Sequence, residues 1–322
     1  SAGVNLINVQ NGFTIISNNT IGSMTALSDI KYASGTSELH VFKIEGSGSK
    51  TVSDNKAGGI RYSASSSKFY GMRFMAFSND PIIFRNNTLG GAAANSLQHH
   101  LANTSSQMTG ISCEGAGSPA LLIENNLIRN MNSAATNANP GTSGIYINLA
   151  SGNQTVRNNT VHSLSITNTS SVCNLSGIRI NNGINGIAAS NKIHSLIISN
   201  SVSSLSGITI SSGTYDFVNN MISLGKDSSG ANMTGGSTIF GINIGIPAVS
   251  NLYYNSVYIS GNPAGVSMNT YALASFVSSN QRNYYNNIFY NGRSNSGSIG
   301  KHYAVRLEGT SPNPPGLLCN HN

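Results

Sequence analysis

The sequence has no tryptophan, three cysteines and few charged side chains. Charged residues make up 8% of the 322 residues, against about 25% in an average globular domain. Cys113, Cys173 and Cys319 show no zinc-binding spacing, and an odd number of cysteines cannot form a closed set of disulfide bonds. No apolar run reaches the ~18 residues that a membrane-spanning helix needs. These absences argue against a disulfide-rich module, a zinc domain and a membrane span.

The charges that are present sum to +7, from 17 Lys and Arg and 10 Asp and Glu. The basic residues are scattered along the chain, whereas a nucleic-acid-binding protein gathers them on one face. We therefore expect no nucleic-acid partner. Gly, Ser, Asn and Thr replace the missing charges. Disorder is excluded because 39% of the residues are hydrophobic and because they recur at regular intervals.

Asparagine marks those intervals. Nine asparagines follow one another at spacings of 29 to 39 residues. The residues three before and two after each of them are apolar or aromatic in all nine repeats. Constant motifs at variable spacing indicate a solenoid whose insertions lie in loops. The nine residues, called the anchor asparagines below, are Asn19, Asn55, Asn87, Asn126, Asn159, Asn191, Asn220, Asn255 and Asn287.

A second motif, Gly-Ile-Xaa-Ile or a close variant, follows most anchors, for example at residues 144–147 and 177–180. Its alternation predicts a half-buried strand, and the apolar residues on either side of the anchor predict two more. Three short strands per repeat stack as a parallel coil, and parallel crossovers are almost always right-handed. The sequence therefore predicts an all-β fold: a single right-handed parallel β-helix over residues 1–322, with about nine coils of ~33 residues. We expect this domain to be part of a longer chain.

The anchor asparagines have a structural explanation. Asn tolerates the left-handed backbone conformation that a tight corner needs, so we expect the anchors to adopt it. Coils stack about 4.8 Å apart, which lets amide side chains in equivalent positions bond to one another. The sequence therefore predicts a structural asparagine ladder. A row of ligand-binding amides is the functional alternative.

One column of residues is the best candidate for a ligand-binding face. The residue three after the anchor is Arg129, His162, His194, Tyr258 or Tyr290 in five of the repeats. An arginine beside two histidines can bind an anion, and tyrosines can contact sugar rings. The alternative is a row of outward side chains without a ligand. Further tyrosines in the C-terminal third predict either a carbohydrate platform or a seal over the end of the coil. No carboxylate accompanies the histidines, so we predict no metal and no cofactor.

The acidic residues form no obvious catalytic pair. Glycoside hydrolysis needs two carboxylates in one cleft, and none of the ten acids occupies the same column in adjacent repeats. Glu114 and Glu124 come closest, on either side of a turn, and are interpreted as solvated loop residues. His99 and His100 lie in the longest insertion and are also predicted to be in a loop. We therefore assign no catalytic residue.

The last two repeats resemble a known family. The segments YYNSVYISG at 253–261, YNNIFYN at 285–291 and GKHYAV at 300–305 are similar to the large secreted β-helix repeat proteins of Bacteroidetes, which are substrates of type IX secretion. The earlier repeats share only generic features with that family. The resemblance implies an extracellular or cell-surface location and a structural or adhesive role. It brings no catalytic residues, and the family's C-terminal sorting domain is not present in this sequence.

These observations predict an extracellular structural or adhesive β-helix. The alternative is a β-helix that binds or degrades polysaccharide, with carbohydrate as its partner. A solenoid also exposes strand edges at both ends, and such edges invite pairing. The segment 4–9 resembles a strand and has no capping helix before it. At the coil ends we therefore expect either more of the same polypeptide or self-association with a second copy, which stacks into a filament.

Overall fold

The computed structural model describes residues 4–33, 37–63, 68–100, 107–134, 141–167, 172–200, 202–263, 268–295, 299–309 and 314–322. Within these ranges the chain is a parallel β-helix of about nine coils, as the repeat pattern predicts. The described residues contain strands and turns, with no helix that is long and apolar enough to cross a membrane.

The coil is built from three sheets, in which equivalent strands of successive coils pair in parallel. Among the described residues the first sheet, which contains the Gly-Ile motif, has the strands Val4–Val9, Leu39–Glu45, Lys68–Ala76, Gln107–Gly115, Gly141–Leu149, Asn174–Asn182, Ser204–Ile210, Thr238–Ile244, Thr270–Ser275 and His302–Leu307. The second sheet, before the anchors, has the strands Thr14–Ser17, Lys50–Ser53, Ile82–Arg85, Leu121–Glu124, Gln154–Arg157, Gly186–Ala189, Thr214–Val218, Val249–Tyr253, Arg282–Tyr285 and Leu317–Asn320. The third sheet, after the anchors, has the strands Thr20–Gly22, Lys56–Gly58, Thr88–Leu89, Leu127–Ser133, Thr160–Ile166, Lys192–His194, Met221–Leu224, Ser256–Ile259 and Ile288–Asn291.

Additional short strands widen the third sheet beyond the three strands per coil that the sequence predicts. They are Ile30–Tyr32, Ile60–Ser63, Leu97–His100 and Ile197–Ile198. His99 is buried, and its ring stacks on that of Tyr62 with centroids 5.4 Å apart. The prediction that His99 and His100 lie in a loop is therefore wrong. Their segment pairs with strands of the coils on both sides, and a long-range pairing of this kind leaves no local sequence signal.

The core lies between the three sheets and is continuous along the coil axis. The residues three before the anchors are buried from Ile16 to Tyr284, which confirms the predicted inward column. The column two after the anchors is buried in the interior coils, whereas its end members Ile21 and Phe289 are only partly buried. The ends of the column are more exposed because they have a neighbouring coil on one side only.

Glycine in the Gly-Ile motif makes room for the column that follows the anchor. A Cβ atom on Gly144 would lie 2.5 Å from Cγ1 of Val161, closer than packed atoms approach. In the second coil the sizes are reversed, because Val41 lies level with Gly71 and the small residue Ala57 follows the anchor. A large side chain in one sheet is thus matched by a small one in the other, as close packing of a core requires.

The anchor asparagines form the predicted ladder. Asn159 Nδ2 donates to Oδ1 of Asn191 at 3.0 Å and to the carbonyl of Ile123 at 2.9 Å. Its Oδ1 accepts hydrogen bonds from the backbone N–H and from Nδ2 of Asn126, both at 3.0 Å. The amide-to-amide bond recurs at every step from Asn19 onward. Because the interior amides are buried and bonded to one another, they are not available to a ligand.

The left-handed backbone conformation belongs to the residue before each anchor, so its prediction for the anchors themselves is wrong. Asn18, Asn158 and Asn286 have φ angles of 59°, 55° and 57°, whereas no anchor has a positive φ. Asp54 and Tyr254 also adopt this conformation in their coils. The corner therefore needs a turned backbone at one residue and an inward amide at the next.

Asn322 is a tenth member of the ladder that the spacing pattern did not predict. Nδ2 of Asn287 donates to its Oδ1 at 2.7 Å, and Asn322 Nδ2 donates to the carbonyl of Tyr284, also at 2.7 Å. The sequence did carry the signal. Cys319 occupies the apolar position three before it, and His321 occupies the corner with a φ of 52°.

Candidate functional site

The predicted ligand face lies on the outer side of the third sheet. Its six positions, called the ring column below, are in register in consecutive coils. The rings of His162 and His194 stack with centroids 4.8 Å apart, and those of Tyr258 and Tyr290 stack at 5.5 Å. Within each pair, ring faces are turned toward each other and ring edges toward solvent. The members of the ring column are Arg129, His162, His194, Ser223, Tyr258 and Tyr290.

Ser223 interrupts the stack, because it places a small exposed side chain between two rings. The resulting groove has a volume of about 230 Å³ and an almost entirely apolar lining. Two coil steps separate His194 from Tyr258, so their ring planes are about 9–10 Å apart. Met221 and Ile288, in the neighbouring outward column, are exposed and form one side of the groove. The structure therefore combines His194 and the predicted tyrosines Tyr258 and Tyr290 in one groove, whereas His162 and Arg129 lie outside its lining.

Both histidines of the ring column are held in the neutral form. Burial lowers the pKa of His162 to about 4, with smaller contributions from the positive charges of Arg129 and Lys192 and from that of His194 when it is protonated. Burial also lowers the pKa of His194, and Lys192 adds to the effect. Each Nδ1 is hydrogen-bonded to the hydroxyl of the following serine, at 2.9 Å for His162 and 3.0 Å for His194. At neutral pH the pair is an uncharged aromatic surface.

We expect the protein to lose stability as the pH falls from about 6.5 toward 4. In that window the unfolded chain binds protons that the folded His162 and His194 do not, so that protonation favours unfolding. Melting temperatures measured between pH 7 and pH 4 test this expectation. The double substitution His162→Gln and His194→Gln should flatten the dependence. An equally steep dependence in the double variant would refute the assignment.

A cluster of ionised groups that the sequence did not reveal lies on the outer face of the first sheet. Arg73 Nη1 lies 2.7 Å from Oε2 of Glu38, and its Nε lies 3.4 Å from Oε1 of Glu114. The hydrogen bond with His40 and the charge of Arg73 lower the pKa of Glu38 to about 2, although burial opposes them. The guanidinium also lies 4.4 Å from the ring centre of Tyr70. Glu38 is thus fixed as a carboxylate, which does not suit it for the role of a general acid.

Glu114 and Glu124, the acidic residues that come closest to a pair in the sequence, are not brought together. Glu114 lies in the first sheet with Arg73, whereas Glu124 lies in the second sheet and accepts hydrogen bonds from Arg157 Nε and Nη2 at 2.8 and 2.7 Å. Both residues are in strands, so the prediction that they are loop residues is wrong. The turn between them separates two walls of the coil, and the side chains therefore point in different directions.

The other tyrosines of the C-terminal third also stack along the coil. Tyr253 and Tyr285 lie 6.1 Å apart on the second sheet. Phe240, Tyr271 and Tyr303 form a column on the first sheet, with centroids 5.3 Å apart at each step. Rings stacked in this way have their faces covered by their neighbours. A sugar that stacks on a ring face can therefore reach these columns only where a column ends.

Among the described residues no group of three or more His, Cys, Asp or Glu side chains is placed to hold a metal ion. Cys113 and Cys173 are buried, and Cys319 is exposed. No protein-family model matches the chain, and no curated protein or solved structure matches it significantly. The resemblance to secreted Bacteroidetes proteins therefore stays a prediction.

Proposed function

We propose that this protein is an extracellular structural or adhesive β-helix. The observation that carries the proposal is the unbroken ladder of buried amides from Asn19 to Asn322. Every coil is bonded to the next through this ladder and through three parallel sheets, which favours a stiff rod over a protein that opens and closes. A stiff rod with few charges suits a structural role outside the cell, or an adhesive role in which its long faces contact other surfaces.

The polarity of the ladder supports continuation of the rod at its ends. Each anchor donates to the Oδ1 of the next, so that in the described residues Asn19 Oδ1 accepts no hydrogen bond and the backbone N–H of Asn322 donates none. One end thus offers an acceptor and the other a donor. Another coil with an anchor asparagine, from the same polypeptide or from a second copy, would complete both. Head-to-tail contacts of the second kind generate filaments.

Degradation of polysaccharide is less well supported than this role. Two carboxylates beside the first sheet, Glu38 and Glu114, both contact Arg73. A retaining or inverting hydrolase needs one carboxyl group that is protonated at working pH, and the pKa of Glu38 is lowered instead of raised.

We expect antibodies against this protein to label intact cells of the source organism. The reason is that an adhesive or structural role outside the cell requires the chain to be accessible there. Labelling is compared before and after permeabilisation, with a cytoplasmic protein as the control for leakage. Deletion of the gene should also reduce attachment of the cells to surfaces or to one another. Labelling that appears only after permeabilisation would contradict the proposal.

A further inference from the structure

The ring column has one feature that the structural role does not require. Two stacked pairs of rings in this column are separated by Ser223. The ring faces of His194 and Tyr258 that border Ser223 are directed toward each other across the gap. These are ring faces that no neighbouring ring covers. We propose that the gap binds one pyranose ring of an acidic glycan, held between His194 and Tyr258.

The width of the gap favours a sugar over a flat ring. Carbon atoms in contact lie about 3.5–4.0 Å apart, so a flat aromatic ring between two others spans about 7–8 Å from the first plane to the last. The ring planes of His194 and Tyr258 are about 9–10 Å apart. A puckered pyranose is thicker than a flat ring, and it has C–H groups on both faces that can pack against aromatic rings. It therefore fills the space that a flat ring would leave empty.

The charge around the gap favours an acidic sugar. Lys192 lines the groove, and Arg129 lies two coil steps from His194 in the ring column. The strands of the third sheet contain no Asp or Glu, so a carboxylate on the sugar meets positive charge and no like charge. The hydroxyls of Ser223 and Ser256 also line the groove and can bond to sugar hydroxyls. The uncharged state of His194 at neutral pH keeps its face suitable for packing against C–H groups.

The site is confined to one place in the fold. Elsewhere in the ring column and in the other aromatic columns, rings cover one another at 4.8–6.1 Å. Within the described residues of the ring column, the serine position is where two uncovered ring faces oppose each other. This inference goes beyond the scaffold role proposed above and does not depend on it, because a rod can bind a glycan wherever it is located.

Calorimetric titration of the protein with tetragalacturonate, a chain of four acidic pyranoses, tests the proposal. We expect saturable binding. The fully methyl-esterified tetramer, which has the same rings without the charges, should bind about fivefold more weakly, and Lys192→Gln should remove most of that difference. Equal affinity for the acid and the ester would overturn the assignment of an acidic sugar, and no binding of either would overturn the whole proposal.

Variants of the gap separate ring binding from general attraction to anions. Ser223→Tyr fills the gap with a ring that continues the stack, so it should abolish binding while the melting temperature is retained. Tyr258→Ala removes one face and should weaken binding about tenfold. Tyr253→Ala is the matched control, since it removes a stacked tyrosine from the second sheet, and it should bind like the unmodified protein. Undiminished binding of tetragalacturonate by Ser223→Tyr would overturn the proposal. Binding that extends to a sulfated polymer and that salt alone disrupts would then be general attraction to anions.

Discussion

Replacing Ile208 with glutamate is expected to lower the free energy of unfolding by several kcal/mol, about 4 or more. Ile208 is fully buried in the first sheet, in register between Ile178 and Ile242. A carboxylate there loses its hydration and meets aliphatic side chains above and below it. The chain must then either protonate the new residue or open the coil, and both cost free energy. Urea unfolding followed by circular dichroism measures the effect.

The neighbouring residue supplies a matched control. Thr209 lies on the same strand but faces outward, in a polar groove with Arg179 and Asn243. Thr209→Glu introduces the same charge one residue away, and we expect it to change the free energy of unfolding by less than about 1 kcal/mol. Equal destabilisation by the two variants would mean that the inward and outward faces of this strand are assigned wrongly.

The inward columns could be predicted because packing in a solenoid repeats. Each coil contacts only its neighbours, so the same apolar position recurs in every repeat and becomes visible as a column. The columns three positions before and two positions after the anchors place Val156 and Val161 in the core, and both are buried. The stacking of His162 on His194 follows from the same rule, since equal offsets from the anchors bring side chains level with one another.

Features that do not repeat could not be predicted. The ionic contacts of Arg73 join residues of three consecutive coils that have different offsets from their anchors. The strand Leu97–His100 forms because it pairs with Ile60–Ser63 in one neighbouring coil and with Leu127–Ser133 in the other. No repeated sequence motif indicates this pairing. The groove at Ser223 depends on the absence of a ring from one position, and an absence is visible only once the neighbouring rings are known to be stacked.

At the left-handed corner the preference of Asn for positive φ holds, but for the residue before the anchor. Asn is favoured at positive φ, and the Asn-Asn pairs contain two candidates. The structure assigns the turned backbone to the first, as in Asn158, and the buried amide to the second, as in Asn159. Ser190 and Tyr254 replace the first asparagine in other coils. A residue with no inward amide is thus tolerated at the corner, whereas each of the nine anchors keeps asparagine.

Replacing Asn159 with alanine is expected to lower the free energy of unfolding by about 2–4 kcal/mol. The substitution removes the four hydrogen bonds that this side chain makes with Asn126, Ile123 and Asn191. It also leaves the buried backbone N–H of Asn126 without the acceptor that Asn159 Oδ1 provides, and an unsatisfied buried group costs more than the lost bond itself. Urea unfolding of the variant measures the change.

The position of an anchor in the ladder sets the size of this effect. The side chain of Asn19 donates to Asn55 and to the carbonyl of Ser17, but its Oδ1 accepts no bond from another described residue, so Asn19→Ala should be the milder substitution, at about 1 kcal/mol. In the interior, Asn159→Ala and Asn191→Ala both remove the bond between these two amides, so that its loss is included in each single effect. Together they should therefore destabilise the protein by less than the sum of the two single effects. If the two effects add, or if Asn19→Ala is as damaging as Asn159→Ala, the amides act independently and the ladder is not a cooperative unit.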